Sequence, residues 1–199
     1  NNKNNEVSWG SPPRNLAYTV YDGKYLNWKN SPTLVDKERT DIMKIVTTTV
    51  LESVQNMNVG VMRFNETEGG SVIEAIQDLD TNRTSLVNAI NALPADGWTP
   101  LSETLYESAR YWTGGAEDYG TSALTDSAAL ASTGPDVYQQ PALESCAKNY
   151  NILITDGEPT EDDGGPGKAV MLPNWSTELG RGNCTGTGQG HCLDDISEY

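Results

Sequence analysis

One phenylalanine and one histidine occur in 199 residues, and cysteine occurs three times. The single histidine, His191, gives a Ser–His pair little support, and no Gly-x-Ser-x-Gly elbow is present. His191 adjoins Cys192 in sequence, which is not the spatial pairing that thiol catalysis needs. Cys146, Cys184 and Cys192 contain no C-x-x-C pair, and with one histidine they supply too few ligands for zinc. No apolar run reaches the roughly 20 residues that span a bilayer. Basic residues are scarce: 13 Lys+Arg stand against 28 Asp+Glu, a net charge of −15. That sign argues against nucleic acid and anionic membrane surfaces as partners. Residue 1 is Asn and no signal peptide is evident, so a mature product or an excerpt is expected.

Tyrosine and tryptophan are plentiful, at nine and five. Both suit half-wet surfaces. Only 36% of residues are hydrophobic and the mean hydropathy is −0.54, so much of the chain is expected in loops. Cys184 and Cys192 bracket "CTGTGQGHC". A disulfide closing that loop is the expected pairing, with Cys146 free or paired outside the chain, which implies an oxidising compartment.

Residues 1–39 form a first region, an Asn-rich loop and hairpin insertion. "NLAYTVYDGKYLNW" reads as strand, Asp-Gly turn, strand. Residues 40–199 form the main domain. "RTDIMKIVTTTVLESVQNM" places Ile42, Ile45, Val46, Thr49, Val50, Val54 and Met57 on one helical stripe, with Thr40 as N-cap. "NVGVMRFN" and "GGSVIEAIQDL" read as strands, and their short join favours a hairpin. "TNRTSLVNAINALP" is a helix with Leu86, Val87, Ile90 and Leu93 inward, ended by Pro94. "DGWTPLSETLYESARYWTGG" is another. Thr99 caps it, Pro100 opens it, and Leu101, Leu105, Ala109 and Trp112 make its stripe. Residues 114–148 and 157–191 read as long surface loops. "YNILITD" is a buried strand, and "CLDDISEY" begins a last helix. Strands separated by helices predict an α/β fold: a doubly wound, mostly parallel sheet flanked by helices, with long loop insertions.

Two residues are placed for chemistry. Asp156 ends the "NILITD" strand, and open α/β sheets bind ligands just beyond their strands' carboxyl ends. Thr99 lies in a Gly-x-Thr-Pro turn that opens a helix, where its hydroxyl suits a cap or a metal ligand. Position alone favours the cap. Glu158, Glu161, Asp162 and Asp163 lack EF-hand spacing and read as a solvated acidic loop. Glu103 and Glu107 share one helix face at i, i+4 and read as solvated too. The stretches "TGTGQG" and "DDGGPG" do not join a strand to a helix as phosphate loops do. Four Asn-x-Ser/Thr sequons lie at Asn65, Asn82, Asn174 and Asn183.

"DGWTPLSETLYESARYW" and "NYNILITDGEPTEDD" together resemble the von Willebrand factor type A domain. More narrowly they resemble the PilY family of type IV pilus tip adhesins. "YDGKYLNW", "VGVMRFN", "EGGSVIEAI" and "CLDDISEY" fit the same family in the same order, over most of residues 18–199. The pair "TPLSETLYE" with "ITDGEPT" is specific, and either alone is weak.

The resemblance implies a von Willebrand type A (Rossmann-like) fold and a metal-ion-dependent adhesion site. In the family, an Asp-x-Ser-x-Ser loop, a loop threonine and a strand-end aspartate hold the cation. The threonine carries over onto Thr99 and the aspartate onto Asp156. Mg²⁺, or alternatively Ca²⁺, suits such oxygen donors. Asp-x-Ser-x-Ser occurs nowhere in the 199 residues, so the site is expected to be incomplete here. In the family that loop precedes a segment like "YDGKYLNW". The chain is therefore expected to start after it and to stop before the last strands. The first strand should lie between "VGVMRF" and "NILITD", and another segment of the same protein is expected to fill its place.

The expected role is adhesion and pilus assembly without catalysis, outside the cell at the pilus tip after export through the periplasm. Expected partners are minor pilins, a host or abiotic surface ligand, and the remaining segments of the same adhesin. The competing expectation is a structural scaffold that docks the adhesin to minor pilins without functional metal binding. A metal-dependent enzyme has the least support, because no general base is in view.

Overall fold

Residues 22–32, 36–66, 68–121, 123–132, 136–141, 148–155, 157–162, 189–190 and 193–197 are described by the computed structural model. The chain divides into two units, Asn1–Lys37 and Glu38–Tyr199. In the first unit, helix α1 spans Gly23–Asn30. It replaces the expected second strand of an Asp-Gly hairpin. Asp22 has an extended backbone, and its carboxylate accepts from the Lys24 amide at 2.8 Å, an N-cap. Both primed two-residue turns need positive φ at the first central residue, and Asp22 stands at −60°.

The second unit is mixed α and β. Helix α2 (Arg39–Ser53) leads into β1 (Asn58–Phe64) and β2 (Gly70–Asp78), followed by α3 (Leu79–Ala92) and α4 (Leu101–Thr113). A 3-10 turn at Ser127–Ala129 and the short helix α5 (Leu193–Ser197) follow. β1 and β2 pair antiparallel, from Asn58 opposite Asp78 to Phe64 opposite Gly70, with irregular register around Val61. Gly69 makes the tight return, at φ 66°. A Cβ there would collide with the Tyr119 side chain. Among the described residues this hairpin is the whole sheet.

Each face of the hairpin is covered. On one side Leu51 of α2 packs with Leu79, Leu86 and Ile90 of α3, and Val59 and Val61 join them. On the other, Val72 and Ala75 pack with Tyr111 of α4, Ala129 and Tyr138, against Met62 and Ile76. Each large side chain buried this way contributes about 1.5–3 kcal/mol. Asp78 caps α3 by accepting from the Thr81 amide at 2.9 Å. Arg83 donates to the Leu51 and Val54 carbonyls, satisfying the C-terminus of α2.

The described residues of 114–148, expected as a surface loop, are tied back onto the fold. Isolated bridges pair Ala116 with Val137 and Leu130 with Tyr138. The Asp126 carboxylate accepts from the Ala75 amide at 2.9 Å, and its own amide donates to Val72 at 2.7 Å. From this stretch Ala129 and Tyr138 pack on Val72 and Ala75 of β2.

The stripe expected to bury α2 lies outward instead. Ile42, Ile45, Val46, Val50 and Met57 are each exposed, and Leu51 is the one buried residue of the helix. Thr40 lies inside α2, and Glu38 precedes the helix without a side-chain cap bond. Residues 148–155 form no ladder with another strand among the described residues, and Ile152 is 85% exposed. The run is apolar enough for a buried strand, but no neighbour beside it completes one. No helix among the described residues is long and apolar enough to cross a membrane.

Candidate functional site

The head of α4 carries Thr99, the one expected site residue among those described. Thr99 and Thr160 form an antiparallel bridge: the Thr160 amide donates to the Thr99 carbonyl at 3.2 Å. The Thr99 amide donates to Thr160 Oγ1 at 3.1 Å. This clamp fixes the "GEPT" stretch beside the helix entrance, with Thr160 four positions beyond Asp156 in sequence. Asp156 itself, and with it Asp163, Cys146, Cys184, Cys192 and His191, lies outside the described residues.

Thr99 does not cap α4. Pro100 occupies the N-cap position without a side-chain bond. The capping acceptor comes from 60 residues downstream. Asp162 Oδ1 accepts from the Ser102 amide at 3.0 Å, and Asp162 Oδ2 accepts from Ser102 Oγ at 3.0 Å. A buried carboxylate at a helix N-terminus satisfies free amides and meets the positive end of the helix dipole. Among the described residues the Thr99 hydroxyl takes no hydrogen-bond partner. It is half-buried.

Asp162 is therefore no solvated acid: it is fully buried, while Glu158 and Glu161 are exposed. Glu103 and Glu107 also depart from expectation, both fully buried. Glu103 Oε2 accepts from the Gly69 amide at 2.9 Å and holds the hairpin turn. Glu107 accepts from the Tyr119 amide at 2.9 Å, the Asp118 amide at 3.2 Å and the Tyr138 hydroxyl at 2.7 Å. Burial pushes its carboxyl above the usual range, against the pull of those hydrogen bonds. Asp118 accepts from Tyr106 Oη at 2.7 Å and pairs with Arg110 at 3.3 Å.

Thus the polar face of α4 is the buried one. Its expected apolar stripe is split: Leu101 is buried, whereas Leu105, Ala109 and Trp112 are half-buried. These last three line a groove of about 840 Å³ with Tyr150, Leu153 and Ile196. Asn151 fastens the groove's rim, accepting from Trp112 Nε1 at 2.9 Å and donating to Ser108 Oγ at 3.1 Å. A second recess, about 400 Å³ and polar, is lined by Asn65, Glu66, Glu68, Asp118, Tyr119 and Thr121. The Asn65 amide group donates to the Tyr119 carbonyl at 2.8 Å, so this sequon's acceptor nitrogen is committed to the fold.

As a donor set, Thr99 and Asp156 supply one hydroxyl and one carboxylate, which suit a hard divalent cation. They would leave most of an octahedral shell to water. Among the described residues, no three His, Cys, Asp or Glu side chains are grouped to hold a metal ion. No protein-family model, curated protein or solved structure matches this chain.

Proposed function

We propose that this chain is the ligand-binding portion of a von Willebrand type A adhesion module, a doubly wound domain carried at the tip of a type IV pilus. The observation that carries the reading is the Thr99 hydroxyl: Asp162 performs the capping that Thr99 was expected to perform. A threonine hydroxyl left over at a helix entrance, clamped to Thr160 four positions after Asp156, suits a ligand's role. In this reading Thr99 and Asp156 contribute to an Mg²⁺ or Ca²⁺ site, completed by donors from another segment of the same adhesin. The cation would polarise and orient an incoming surface ligand's carboxylate. Thr160 holds Thr99 in place through the backbone bridge, and no residue turns over a substrate. The module acts outside the cell, with minor pilins and a host or abiotic surface as its partners. The Cys184–Cys192 disulfide belongs to the same proposal.

A second reading, a scaffold that docks to minor pilins without metal, draws on the outward apolar face of α2. Ile42, Ile45, Val46 and Val50 follow helical spacing, and all are exposed. Calorimetric titration of the intact protein with Mg²⁺ and Ca²⁺ separates the two readings. The adhesion site expects saturable heat that disappears in Asp156→Ala and weakens in Thr99→Val. Absence of heat in the parent protein, or equal heat in Asp156→Ala, rejects the metal site and leaves the scaffold.

A further inference from the structure

Gly120 sits where three oxygen atoms converge. A Cβ built there would lie 2.5 Å from Glu117 Oε1, 2.6 Å from the Tyr138 hydroxyl and 2.9 Å from Glu107 Oε1. Any side chain at 120 would force these groups apart. The Tyr138 hydroxyl donates to Glu107 Oε1 and also faces the Glu117 carboxylate. Glu117 Oε1 accepts from Thr125 Oγ1 at 2.5 Å as well. Two carboxylates from different elements thus share one buried phenol.

That phenol has one hydrogen. It can serve a single carboxylate at a time, and the other carboxylate then faces an oxygen lone pair. One added proton resolves the conflict. A carboxyl O–H at Glu107 donates to the Tyr138 oxygen, and Tyr138 turns its own hydrogen toward Glu117. The Asp118 and Tyr119 amides keep Glu107 Oε2 as their acceptor. The proton comes from solvent, and no other bond is made or broken.

We propose that Glu107, Tyr138 and Glu117 form an acid-strengthened latch, which binds one proton in mildly acidic medium and fastens residues 115–138 more firmly onto α4. This goes beyond the adhesion reading and does not depend on it. Burial holds both carboxyls above their usual range, and it also holds the phenol upward, so Tyr138 keeps its hydrogen. The surrounding charges do not supply the missing neutralisation. Arg110, the cation on α4, is engaged by Asp118 and by the Ala116 carbonyl at 3.0 Å. Glu103 and Asp118 act on the neighbouring Tyr119, Tyr111 lies against Tyr138, and Asp136 raises Glu117 further. Tyr111 and Asp126 interact with each other on the β2 side.

The sign follows from the raised values. A carboxyl that binds its proton more tightly when folded stabilises the fold fully below its unfolded pKa. That contribution is lost as pH rises through the folded pKa. Acidification from neutrality therefore tightens the lobe. The two carboxyls titrate as a pair.

The test is amide hydrogen exchange of Asp118 and Tyr119 in the full chain between pH 7.5 and 5, corrected for intrinsic rates. Protection should rise on acidification, by about tenfold for each unit by which the folded midpoint lies above pH 5. Tyr138→Phe should flatten that rise, and Glu117→Gln should increase protection at pH 7.5 while shrinking the gain. Protection that stays level or falls toward pH 5 overturns the latch, as does a full gain retained in Tyr138→Phe. Should either variant fail to fold, carbon-detected titration of the parent carboxyls decides. A coupled titration above the usual carboxylate range supports the latch, and two independent ordinary ones overturn it.

Discussion

Glu107→Ala lowers the unfolding free energy by about 3–5 kcal/mol, the range for removing one partner of a buried charged network. The alanine leaves the Asp118 and Tyr119 amides and the Tyr138 hydroxyl without their acceptor in a site that water does not reach. Each stranded donor costs about 1–3 kcal/mol, and a cavity adds to the loss. Urea denaturation at pH 7, followed by circular dichroism, is the measurement. A solvated i, i+4 acid would instead change stability by less than about 0.5 kcal/mol. The two pictures of α4 thus differ by several-fold in a single variant. Leu105, on the half-exposed apolar stripe, is the internal control: its truncation should cost less than that of Glu107, reversing the order that hydrophobicity alone gives.

The second large effect concerns the sheet. β1 bonds β2 along one edge, and its other edge pairs with nothing among the described residues. Residues 150–155 are exposed, and the α2 face is apolar and open. Unpaired strand edges beside exposed aliphatic side chains are costly, and native proteins cover them. Our proposal puts a β-strand from another segment of the same protein there. Amides on the free edge of β1 and within Ile152–Thr155 should exchange freely in the 199-residue chain. In the longer protein of that proposal they should be protected at least about 100-fold, because exchange there would require opening a central strand. Equal exchange in both forms would remove the inserted strand from the account. Direct pairing of β1 with residues 150–155 would do the same.

What the sequence made legible follows local periodicity. The β1–β2 hairpin and α3 could be read from alternation and from the spacing of Leu86 and Ile90, because their packing partners lie close along the chain. α4 was legible as a helix but misjudged by face. Its polar side chains are buried by partners at 69, 118–119, 138 and 162, and no local window contains them. A usable sign was present in the face itself: Glu103, Glu107 and Arg110 alternate with Tyr106 and Tyr111, aromatic residues that a solvated face has little use for. Asp162 carried no such sign, since its partner Ser102 is 60 residues away. The Asp22-Gly23 pair was ambiguous for a local reason. Asp serves hairpin turns and helix N-caps alike, and here the cap prevails. Thr99 shows the converse case. Its turn was readable, but whether it caps or ligates depends on Asp162, which local sequence cannot place.

The adhesion reading rests on a cation held at Thr99 and Asp156, and Mn²⁺ reports its position. Mn²⁺ accepts the same oxygen donors as Mg²⁺ and broadens nearby amide resonances. In the intact protein, sub-stoichiometric Mn²⁺ should broaden Thr99, Gly157 and Thr160 first, excess Mg²⁺ should reverse the effect, and Asp156→Ala should abolish it. Broadening centred instead on the recess of Glu66, Glu68 and Asp118, or spread evenly over the acidic surface, would contradict the account.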